Sequence, residues 1–84
     1  MTPLDINAKL NAGGTFGQRV RYKMLQHGYT QRELGEKCGC TQAAIWRYIH
    51  DINLPEPRML VALALTLDVS TDWLLGLSDK EERL

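Results

Sequence analysis

Long hydrophobic runs, paired cysteines and aromatic residues are all scarce in this 84-residue chain. The longest uninterrupted apolar stretch, Met59 to Leu65, falls far short of the roughly 20 residues that a membrane-spanning helix needs. The N-terminus lacks the basic-then-apolar pattern of a secretory signal. A soluble cytoplasmic protein with no membrane partner is therefore expected. The only two cysteines, Cys38 and Cys40, are separated by one residue, too close for an unstrained mutual disulfide. No second pair completes a four-ligand zinc site. Burial in a core is their expected role, with metal binding or redox sensing as alternatives.

Also absent are the constellations of an enzyme. No nucleophile stands at a spacing that pairs it with a base, no glycine-rich loop could cradle phosphate, and no ligand cluster could hold a metal. Neither catalysis nor a cofactor is expected. Net charge is absent too, since ten Lys and Arg balance ten Asp and Glu. A neutral chain argues against nucleic acid, because binding DNA is largely phosphate neutralisation, but the distribution matters more than the total. Between Gln18 and His50, six cations (Arg19, Arg21, Lys23, Arg32, Lys37, Arg47) stand against Glu33 and Glu36, a surplus of +4. From Asp51 to Leu84, three cations stand against seven carboxylates, a deficit of −4.

What the chain does have is helix punctuation. The 44% apolar content supports one compact all-α domain over residues 15–77, between a flexible arm at 1–14 and a charged, frayed tail at 78–84. Five helices are expected. Thr15 to His27 places Phe16, Val20 and Met24 or Leu25 at helical spacing, stopped by Gly28. Thr30-Gln31-Arg32-Glu33 matches a capping box and starts a second helix, which Gly39 closes near Cys38. Thr41 caps a third helix, Gln42 to about Ile49, so the two are joined by a very short turn. After a connector at Asp51 to Glu56, Pro57 opens a fourth helix reaching Leu67. That helix is apolar nearly all round and is expected to be buried on more than one side. Ser70 caps a fifth, ended by Gly76.

In the tightly joined pair, Leu34, Cys38, Cys40, Ile45 and Tyr48 face inward, and Gly35 is small where the helices approach. Gln31, Leu34-Gly35, Gly39 and Ile45 sit where the phage-repressor and Cro-like helix-turn-helix family (the xenobiotic-response-element family) has its Gln, Leu-Ala, turn Gly and Ile. Val69-Ser-Thr-Asp-Trp-Leu-Leu-Gly76 reproduces an ending common in that family. The chain resembles the family over roughly Phe16 to Leu77. The resemblance implies a lambda-repressor-like DNA-binding fold and a transcriptional regulator, most simply a repressor that binds a palindromic operator as a dimer. An antitoxin-type regulator that also docks a protein partner through its acidic half is the alternative. Where family members commonly carry an Arg and a Glu that pair across the core, this chain has Met24 and Ile49, which are expected to meet there as apolar groups. Gly35 replaces the usual alanine at a helix cost of about 1 kcal/mol.

The resemblance places the third helix in the major groove. Its outward face is then Gln42, Ala43, Trp46 and Arg47. Gln suits adenine, Arg suits guanine and Ala suits a thymine methyl. For Trp46, a base or sugar contact, a partner contact and packing against the second helix are equally open. Phosphates would meet the amide ends of the second and third helices, with Gln31, Arg32, Thr41 and His50, and with Arg19 or Lys23 from the first. His50 and His27 are read as solvated or capping groups rather than as ligands or pH switches. Val61, Leu65, Leu75 and Leu77 are candidates for a two-fold contact, the alternative being that all four belong to the core.

Overall fold

The computed structural model of the chain describes residues 14–82. The arm expected at 1–14 lies outside the described residues apart from Gly14, as do the last two residues of the tail. Five helices follow in order: α1 (Phe16–His27), α2 (Gln31–Cys38), α3 (Gln42–Ile49), α4 (Pro57–Leu67) and α5 (Thr71–Leu75).

Each helix begins where a side chain can satisfy the first-turn amides that have no partner within the helix. Thr15 and Thr30 both form complete capping boxes, with Gln18 and Glu33. Thr41, Glu56 and Ser70 cap α3, α4 and α5. Thr15 is thus the cap of α1 rather than its first residue. Gly28, Gly39 and Gly76 close their helices in the left-handed region, as the sequence pattern predicts.

All five helices contribute to one core. Met24, not Leu25, takes the inward place on α1, and Leu25 is exposed. Met24 and Ile49 are both buried in that core, so two apolar side chains occupy the interior positions where the resemblance has opposite charges. Leu34, Cys38, Ile45 and Tyr48 are buried as expected, and Cys40 is half-buried.

One expectation is qualified and one corrected. Helix α4 packs against α1, α2 and α5 and so is buried on more than one side, but it is not enclosed: Leu63, Ala64 and Leu67 are buried and Met59, Leu60 and Ala62 partly so, whereas Val61 and Leu65 are 50% and 57% exposed. The domain is too small to wrap an apolar helix all round. The tail, as far as it is described, is not frayed. Ser70 donates from its N–H to the Glu81 carbonyl at 2.6 Å and from its hydroxyl to the Lys80 carbonyl at 3.1 Å. Glu81 pairs with Lys23 of α1 at 2.8 Å. Among the described residues, no helix is long and apolar enough to cross a membrane.

Candidate nucleic-acid interface

The α2–α3 turn is as tight as a backbone allows. The amides of Gly39 and Cys40 both donate to the Gly35 carbonyl at 2.8 Å. A Cβ on Gly35 would lie 2.8 Å from the Cys40 carbonyl oxygen, closer than a methyl group and an oxygen can sit. The alanine of the family pattern does not fit this turn unless the backbone moves. The glycine is required by the approach of the two helices, which outweighs its poorer helix propensity.

That turn fixes which face of α3 is open. At 100° per residue, Gln42, Ala43, Trp46, Arg47 and His50 fall within an arc of roughly 140°, and all five are exposed. Ile45, Tyr48 and Ile49 occupy the opposite arc and are buried. The four side chains expected to face bases therefore share one surface, with His50 at its far end. Among the described residues, the Arg47 guanidinium has no hydrogen-bond or ion-pair partner. Trp46 is 45% exposed. Its ring stacks on His50, with centroids 4.2 Å apart and planes 25° from parallel. His50 Nδ1–H donates to the Trp46 carbonyl at 2.8 Å, so this histidine closes the C-terminus of its helix.

The expected phosphate set divides. Gln31 is half-buried at the start of α2, and Thr41 is exposed at the start of α3. Arg32 is open, its only partner being an exposed Glu36 at 3.3 Å, an arrangement worth little in water. Arg19 and Lys23 are removed from the set. Arg19 is 5% exposed, donates from Nη1 to the Trp73 carbonyl at 2.6 Å and from Nε to the Gly14 carbonyl at 3.4 Å, and lies 5.0 Å from the Trp73 ring centre. Lys23, whose side chain is 12% exposed, is held by Glu81. Both sit on a face of α1 that α5 and the returning tail cover. The basic surplus of the first half is correspondingly smaller at the surface than in the sequence.

The acidic half is likewise partly committed inside the fold. Glu56 accepts from the amides of Arg58 and Met59, and Glu81 holds Lys23. Asp51 is the residue that sequence reasoning missed. Just past α3, with φ +57°, it accepts from the Gly17 amide at 2.8 Å and from the Thr15 hydroxyl at 2.6 Å. Its carboxylate thus sits on the positive end of α1 and ties that helix to the end of the outward-facing one. No local signal announces a cap supplied from 34 residues away.

Of the four residues expected at a two-fold contact, Val61, Leu65 and Leu77 are exposed and Leu75 is half-buried. The alternative that all four belong to the core does not hold. Cys38 and Cys40 are free thiols. Cys38 is buried, its Sγ 3.5 Å from the Thr66 hydroxyl, and burial pushes its thiol above the ordinary range, which makes it unreactive.

A helix-turn-helix family model matches residues 20–74. The chain is 37% identical over 62 residues to an uncharacterized HTH-type transcriptional regulator of Bacillus subtilis, YobD, covering 74% of this chain and 55% of that protein. It spans about half the length of the curated relatives it matches. Among solved structures, the P22 c2 repressor in complex with a synthetic operator superimposes with a TM-score of 0.74 at 28% identity, over 76% of this chain and 97% of that one. SinR in complex with DNA gives 0.68 at 29% identity, over 73% and 98%. The family model reaches from within α1 to within α5, and the chain belongs to the helix-turn-helix family of the Cro and phage-repressor type, a family of transcriptional regulators and not of enzymes.

Proposed function

We propose that the chain is a sequence-specific DNA-binding regulator of transcription that acts as a repressor on a palindromic operator. The observation that carries this reading is the open face of α3: Gln42, Ala43, Trp46 and Arg47 stand together on it, and Arg47 has no side-chain partner among the described residues. The P22 c2 repressor in complex with an operator and SinR in complex with DNA support DNA as what this chain binds. Gln42 and Arg47 supply donors for adenine and guanine edges. Gln31, Arg32, Thr41 and the first amides of α2 and α3 meet phosphate. A selection from randomised oligonucleotides should enrich one motif at moderate salt, and Arg47→Ala should relax it at one base pair at a cost of roughly 1–3 kcal/mol. Failure to enrich any motif would overturn the reading.

A single module reads only a few base pairs, and pairing two modules about one helical turn apart supplies the missing affinity. Val61 and Leu65 on α4, and Leu77 after α5, are exposed apolar residues available to a second copy of this chain. Light scattering across a dilution series should show a dimer that dissociates on dilution. Val61→Asp with Leu65→Asp should leave a folded monomer. A wild-type monomer at high concentration would count against this interface. The acidic half offers a protein partner fewer free carboxylates than its sequence implies, because Asp51, Glu56 and Glu81 are engaged within the domain.

A further inference from the structure

We infer that His50 is a positioning residue for Trp46, and that the pair together reads a thymine through its methyl group. The inference rests on the DNA-binding reading and assigns a recognition element within that surface. His50 does not act as a phosphate contact through Nδ1, because that nitrogen donates to the Trp46 carbonyl at 2.8 Å. The same bond turns the imidazole back along α3, one turn beyond Trp46, and lays it against the indole at 4.2 Å. The two rings form an offset stack, the arrangement that aromatic quadrupoles favour.

Two consequences follow from this geometry. His50 stacks on one face of the indole while the residue remains 45% exposed, so part of the ring stays open to a ligand. Trp46 also lies near the middle of the arc of exposed positions, between Gln42 and Arg47. An apolar surface held there by its neighbour offers van der Waals contact to the one apolar group that the major groove presents, the C5-methyl of thymine. Without His50 the indole would lose its stacking partner and choose among rotamers, and a mobile ring discriminates poorly because ordering it costs side-chain entropy on binding.

The test starts from the site that the full chain selects from randomised duplexes. Each thymine in it is replaced in turn by deoxyuridine, which removes only the methyl, and affinity is read by fluorescence anisotropy of the labelled duplex. Wild type should lose roughly fourfold at one thymine position, the value of one buried methyl group. Trp46→Ala should be indifferent to that substitution. His50→Ala should lose most of the discrimination, and His50→Phe, which keeps a ring but not the hydrogen bond that lays it on the indole, should restore it only in part. In the free protein, the His50 ring protons should be shifted upfield by the indole, and Trp46→Ala should abolish the shift. Thermal melting confirms that each variant is folded. If a motif is selected but wild type is indifferent at every thymine, or if His50→Ala discriminates as wild type does, the inference fails while the DNA-binding reading stands. If no motif is selected, both fail.

Discussion

Gly17→Ala should cost the domain about 2–3 kcal/mol, although alanine is the better helix former by about 1 kcal/mol. A Cβ at this position would lie 2.5 Å from the Ile49 carbonyl oxygen and 2.6 Å from that of Tyr48. Both atoms are backbone at the C-terminal end of α3, so no side chain can rotate out of the way. Helix α1 would have to lift from α3, and Asp51, which accepts from the Gly17 amide, would lose its geometry with it. For a domain of this size the loss lowers the melting temperature by roughly 10–20 °C. A thermal scan followed by circular dichroism measures it, and an unchanged midpoint would show that the two helices are not in backbone contact.

Arg19→Ala should destabilise the fold by roughly 2–3 kcal/mol and leave the salt dependence of DNA binding as it is. The guanidinium gives a charged hydrogen bond to the buried Trp73 carbonyl and packs on that ring. Its removal leaves the carbonyl unsatisfied in an apolar setting, where hydrogen bonds to charged groups are worth about 1.5–3 kcal/mol. A cation that touches no phosphate releases no counterions, so the slope of log affinity against log salt should not change. Urea unfolding and anisotropy titrations at several salt concentrations separate the two effects. A variant of normal stability with a shallower salt slope would return Arg19 to the DNA-facing set.

The contrast between these two residues marks how far the sequence carries. The helices were legible because their boundaries are set locally: Thr30 with Glu33, Thr41, Pro57, Ser70 and the closing glycines act within four residues of themselves. The open face of α3 was legible for the same reason, since Ile45, Tyr48 and Ile49 fix the buried arc and leave the remainder outside. Arg19 was misread because its partner, Trp73, is 54 residues away, and a basic side chain on a helix otherwise looks solvated. Lys23 was misread through Glu81, which belongs to a tail whose composition alone reads as unfolded. Gly35 is legible as small where the two helices approach, but that an alanine is excluded rests on the Cys40 carbonyl beside it. For Arg19 and Lys23 the deciding contact is tertiary, and local pattern contains no trace of it.

Asp51, by joining Thr15 and Gly17 to the residue just past α3, also bears on the thermodynamics of target search. The far end of the reading helix is braced in the free protein, by a carboxylate on the N-terminus of α1 and by the backbone contact at Gly17. On the proposed reading of α3 as the groove-facing helix, a helix braced before docking gives up little conformational freedom when it meets DNA. Encounter with DNA then becomes rigid-body association, with a rate set by charge and orientation rather than by folding on the target.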